Sequence, residues 1–226
     1  RHRDQTAMKA SIVALLAALL AGCANRPQAP DWQGNAKSAT ERAVAAYLVG
    51  NTRVEAAELA SARAEVSRTG RVDLLARVEL SHCAAQVASL VFAPCAAFEP
   101  LRADAAAPER AYAEYLLGKL TPAAATSADA ALLPEAHRGV APSAITDPLA
   151  RLIAAGVLFE AGQADPPLIA LAVDTASAQG WRRPLLAWLG VQLARAEQAG
   201  AVDEADRLRR RVALVQGSAA AVLSPP

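Results

Sequence analysis

Aromatic residues are scarce in this chain of 226 residues, with three each of tryptophan, tyrosine and phenylalanine. Large rings can therefore supply only a few core residues. No apolar run reaches the roughly 20 residues that a membrane-crossing helix needs; the run from Ala10 to Gly22 has 13. Neither sign of charge predominates. Setting aside Arg1, Arg3, Lys9 and Asp4 of the leader leaves 20 basic and 21 acidic residues, which excludes a general electrostatic attraction to nucleic acid. Motifs that carry chemistry are missing too. The sequence has no His-Glu-x-x-His, no Cys-x-x-Cys, no Gly-x-Ser-x-Gly and no phosphate-binding glycine loop. A transition-metal site needs three or four convergent ligands, and beyond the leader only His82 and His137 are available as histidines. No catalytic residue, metal or cofactor is assigned.

What the chain has in excess is alanine, roughly a quarter of all residues and far above ordinary usage. Alanine is the best helix former and a poor strand former. The composition predicts an all-α protein whose helices approach closely.

The beginning of the chain reads as an address label. Met8 and Lys9 precede the apolar stretch, and small residues close it, which is the pattern of a secretory signal. A buried helix is the alternative, but nothing polar marks a solvent face between Ile12 and Gly22. Leu20-Ala21-Gly22-Cys23 resembles the lipobox of bacterial lipoproteins. The resemblance implies cleavage before Cys23, a diacylglycerol on its thiol and, with Ala24 rather than aspartate next, the periplasmic face of the outer membrane. Three acyl chains, at about 0.8 kcal/mol per buried methylene, would anchor such a protein firmly.

With Cys23 assigned to lipid, Cys83 and Cys95 remain. An oxidising compartment favours pairing them. Twelve residues of unbroken helix would hold them about 18 Å apart, whereas a disulfide needs Cα atoms within about 7 Å. The bridge therefore requires a reversal, expected at Phe92-Ala93-Pro94; two buried free thiols are the alternative.

Punctuation divides the chain into a leader (1–22), a tether (23–36) and an N-terminal helical half (37–120). An irregular connection (121–146), a C-terminal helical-hairpin half (147–217) and a loose tail (218–226) follow. Thr40 is expected to cap the first helix, and Thr52 with Glu55 to form a capping box at the second. Gly70 is a helix stop, and the third helix is expected from Val72 to about Val91. Pro108 opens a fourth helix. Asp147-Pro148 and Asp165-Pro166 are cap-plus-proline starts, and Gly162, Gly180 and Gly200 are stops.

The segments beginning at Pro148 and Pro184, 36 residues apart, both read as helix, glycine turn, helix and a closing Gln-Gly. That is the size of one hairpin in a helical solenoid. Trp188-Leu189-Gly190, and Gly200 followed by Ala205, resemble tetratricopeptide-type repeats, which implies stacked antiparallel hairpins; a plain helical bundle is the alternative. The last hairpin carries Arg182, Arg183, Arg195, Arg207, Arg209, Arg210 and Arg211, and arginine suits planar contact with carboxylates and phosphates. Asp203, Glu204 and Asp206 can instead neutralise that face. Trp181 and Trp188 share one helix face and either bracket a partner groove or pack between hairpins. The resulting expectation is a lipid-anchored, periplasm-facing scaffold with an envelope protein as partner. An envelope hydrolase acting on wall or glycan, and a carrier for a small apolar ligand, are the other readings.

Overall fold

The computed structural model describes residues 30–119 and 141–217, and every regular element among them is helical. Eight α-helices follow in order: α1 (Asp31–Val49), α2 (Thr52–Ser67), α3 (Val72–Ala88), α4 (Ala107–Leu116), α5 (Pro148–Glu160), α6 (Pro166–Gln179), α7 (Arg182–Gln198) and α8 (Val202–Val215). Single 3-10 turns at Glu99–Leu101 and Pro142–Ala144 precede α4 and α5. None of the described helices is long and apolar enough to cross a membrane.

The first helix begins earlier than the sequence led us to expect. Residues 31–36, assigned to the tether, are the opening turns of α1, with Asp31 at its positive end. Ala36, Ala39, Ala43 and Ala46 recur at helical spacing and are buried. Their small side chains let α2 come close and offer Leu59, Ala62 and Val66 in return. An alanine stripe has little hydrophobic contrast with polar chain, so the pattern is easily missed. Thr40 is not a cap but lies mid-helix, its hydroxyl donating to the Ala36 carbonyl at 2.8 Å.

The α2 start is also corrected. Asn51 is the cap, its Oδ1 accepting from the Val54 amide at 3.2 Å, and Thr52 is the first helical residue. Glu55 reaches no cap because two other helices claim its carboxylate.

α3 is the hub and packs against α1, α2, α4 and α5. It ends at Ala88, three residues before the expected Val91, in a Schellman turn. The Leu90 amide donates to Val87 O and the Val91 amide to Gln86 O, at 2.9 and 3.0 Å. Leu90 takes the left-handed conformation (φ 59°) usually left to glycine. The chain therefore reverses at Ser89-Leu90 rather than at Phe92-Ala93-Pro94. That reversal brings Cys83 and Cys95 to a Cα separation of 5.9 Å, joined as a disulfide.

From α5 onward the helices run as successive neighbours, α5 on α6, α6 on α7 and α7 on α8. Asp147 Oδ1 accepts from the Ala150 amide at 2.6 Å, and Asp165 Oδ1 from the Leu168 amide at 2.8 Å. Both are caps followed by proline at the first helical position. One core runs through α3 to α8, with Leu80, Phe98, Leu152, Ile169, Val173, Trp188 and Leu189 inside it. A smaller core lies between α1, α2 and α3. Because α3 belongs to both, the two helical halves are not separate bodies. α1 also touches α7. An open solenoid, in which each unit meets only its neighbours, would lack that contact, so the array has the character of a closed bundle.

Candidate functional site

Cross-helix ion pairs link α1 to α2, α2 to α3, α3 to α4 and α7 to α8. Arg42 and Glu58 join α1 to α2 at 2.8 Å. Arg63 grips Glu79 with two bonds of 2.6 Å between α2 and α3. Arg77 and Glu109 join α3 to α4 at 2.5 Å, and Arg209 and Glu197 join α8 to α7 at 2.6 Å. Glu79 and Glu109 are buried. Hydrogen bonding to Glu79 raises the pKa of Arg63, and hydrogen bonding from Arg42 lowers that of Glu58. Glu109 Oε2 is buried with no hydrogen-bond partner.

The densest polar cluster lies where α1, α2, α3 and α7 meet. Glu55 Oε1 lies 2.8 Å from His82 Nε2, and its Oε2 accepts from Arg183 at 2.8 Å. The Arg183 guanidinium stacks 4.2 Å over the Tyr47 ring, and Tyr47 meets His82 edge-on at 5.5 Å. Burial raises the Tyr47 pKa and outweighs its hydrogen bond with Ser89. Both Glu55 oxygens are engaged by protein groups, so the cluster acts as a clamp between the first hairpin and α7. Among the described residues, no three histidine, cysteine or acidic side chains gather as a metal site would require.

The predicted interaction surface is divided by the structure. Trp188 is corrected from a surface candidate to core: it is fully buried, and its indole N–H donates to the Ala88 carbonyl at 3.1 Å. It thereby satisfies an orphan acceptor at the end of α3. Trp181 is half-buried against the same core. Arg183 belongs to the Glu55 clamp. Arg207 pairs with Glu204, and Arg209 with Glu197 and Asp206. Arg182, Arg195, Arg210 and Arg211 are exposed and form no ion pair among the described residues. Arg207, Arg210 and the exposed Leu214 form one outward stripe on α8. Cys23 and His137 lie outside the described residues.

The sequence reading missed a groove between the first turns of α1 and the flank of α3. Its volume is about 580 Å³. Ala36, Val66, Leu74 and Val78 form its apolar part, with Trp32, Lys37, Glu41, Arg71 and Arg77 also lining it. A lone tryptophan in a segment assigned to a tether was the available signal. No family model matches this chain, nor does any curated protein or solved structure compared with it.

Proposed function

We propose that this protein is a lipid-anchored helical scaffold that docks a protein partner at the periplasmic face of a bacterial outer membrane. The anchor is assigned to Cys23 on the lipobox resemblance. One structural observation supports the docking role: the α7–α8 hairpin exposes Arg182, Arg195, Arg210 and Arg211, none with an ion-pair partner among the described residues, and Arg210 and Arg211 stand within one helical turn of Leu214, itself 66 % exposed. Guanidinium groups flanking an apolar contact suit a carboxylate-bearing protein surface. The arginines already matched by Glu204, Glu197 and Asp206 keep that surface from being uniformly cationic.

Two measurements test the reading. Membrane fractionation of wild type beside Cys23→Ala should lose the variant from the membrane pellet while its helical circular dichroism persists. A photo-crosslinking residue at Leu214 should yield one discrete envelope-protein adduct, abolished by the double change Arg210→Glu, Arg211→Glu. An unprocessed chain in the cytosol, or a Leu214 adduct indifferent to both arginines, refutes it.

A further inference from the structure

The groove lies between the amino-terminal half of α1 and the flank of α3. Tyr47, in the last turns of α1, touches Arg183 at the start of α7. Trp32 lies fifteen residues earlier on the same helix, about 22 Å away at 1.5 Å per residue. The groove therefore opens at the end of α1 that leads back toward Cys23. Only residues 24–29 separate Cys23 from Pro30, and seven steps of chain span at most about 25 Å. Whatever is attached to Cys23 is within reach of the groove.

Its shape and lining suit a thin apolar occupant. Buried Ala36, Val66 and Val78, with half-buried Leu74, give an apolar floor. Lys37, Glu41, Arg71 and Arg77 surround it; Lys37 lies 3.9 Å from Glu41, and the two arginines are paired with Asp73 and Glu109. A volume of about 580 Å³ falls in the range of small-molecule sites. The lining along α1 runs from Trp32 to Glu41, about 14 Å of helix.

We propose that this groove seats one fatty acyl chain of the protein's own anchor at Cys23. The inference rests on the anchored reading above. Each methylene laid on the floor is removed from water as it would be in a bilayer, while the charged, internally paired rim meets the polar ester end of the chain. Groove and membrane then compete for the same hydrocarbon, and the body is held with the α1 end toward the lipid.

The test uses the full lipidated chain with a photo-crosslinking residue in place of Leu74. It is reconstituted in vesicles of phosphatidylethanolamine and phosphatidylglycerol, after intact mass has verified the diacylglyceryl group. Irradiation should join position 74 to the chain's own amino-terminal lipopeptide with no added mass. A phospholipid adduct, a protein adduct, a link to residues 24–29 rather than the lipid, or no cross-link overturns the proposal and leaves the anchored reading standing. An unmodified Cys23 overturns both. In a second arm, full-length Cys23→Ala is titrated with spin-labelled palmitic acid. Saturable binding of one molecule is expected, weakened about tenfold or more by Leu74→Arg, which sets a charge on the apolar floor. Circular dichroism verifies that this variant is folded, and Arg210→Glu serves as the unaffected control. Absent binding, or equal binding by Leu74→Arg, overturns the assignment of the groove.

Discussion

Gly156 lies in the middle of α5, where that helix crosses α3, and a methyl group added there tests the packing argument directly. An alanine Cβ would stand 2.4 Å from the Val87 carbonyl oxygen, and 3.1 Å from both the Val87 carbonyl carbon and Cγ1. Ordinary carbon–oxygen contact begins near 3.3 Å, so the helices must part by close to 1 Å. The obstacle is backbone, and it cannot rotate aside. Val87 O also accepts the Leu90 amide in the turn that ends α3, so displacement strains the turn enclosed by the disulfide. Overpacking of this kind costs about 1–3 kcal/mol, against a helix-propensity gain of about 1 kcal/mol for glycine to alanine. Gly190, on the exposed side of α7, has nothing within 4 Å of its added Cβ. Gly190→Ala should therefore gain about 0.5–1 kcal/mol. Urea unfolding followed by circular dichroism should raise the Gly190→Ala midpoint and leave that of Gly156→Ala unchanged or lowered, at unchanged slope, the variants differing by about 1–3 kcal/mol. At about 2–4 °C per kcal/mol for a domain of this size, the gap is readable by heat as well. If Gly156→Ala raises the midpoint as Gly190→Ala does, the close crossing of α3 and α5 is wrong.

Glu55→Ala strips the counter-charge from Arg183 and the hydrogen-bond partner from His82, at side-chain exposures of 26 % and 18 %. Breaking a fully buried pair costs about 3–5 kcal/mol, and partial solvation should reduce this to about 2–3; Glu58→Ala, at a solvent-screened pair, should cost much less. Equal losses in the two variants would remove the clamp from the argument. Reducing the Cys83–Cys95 bridge, or replacing both cysteines with alanine, opens a 12-residue loop and should cost about 3 kcal/mol in the chain-entropy model; an unchanged chemical-denaturation midpoint after verified reduction would contradict it. Hydrogen bonds from Arg71 and Arg102 lower the pKa values of Asp73 and Glu99. Their contribution is complete above the unfolded carboxylate range, near pH 4, and is lost as pH falls through the depressed folded values. The double variant Asp73→Asn, Glu99→Gln should therefore show a shallower stability decline below about pH 4, and a wild-type slope in that variant would count against the two pairs.

Much of the helical layout was readable from local chemistry. Asp147 and Asp165 each accept the amide three residues on, and each is followed by proline, so these starts needed no tertiary context. The approach of Cys83 to Cys95 followed from requiring a reversal between them. Long-range demand decided where local reading failed. Thr52 and Glu55 match a capping box, yet Glu55 is drawn away by a histidine 27 residues on and an arginine 128 residues on. The spacing predicts Trp181 and Trp188 on one helix face, but Trp181 is the extended N-cap of α7, and the position of Ala88, a hundred residues earlier, accounts for the indole of Trp188 pointing into the core. The groove depends on Trp32, Val66 and Leu74 from three separate segments, and periodicity within one helix cannot anticipate such a meeting.

The salt links between successive helices have a consequence for how this chain can drift. Where small side chains fill the contact faces and no backbone approaches as closely as at Gly156, apolar residues can be exchanged with little disturbance of the arrangement. The information that distinguishes one alignment of neighbours from another is concentrated in a few oppositely charged couples, Arg63 with Glu79 foremost among them. Shape can then persist in descendants whose spelling has almost wholly changed, provided that each couple is altered together or left alone.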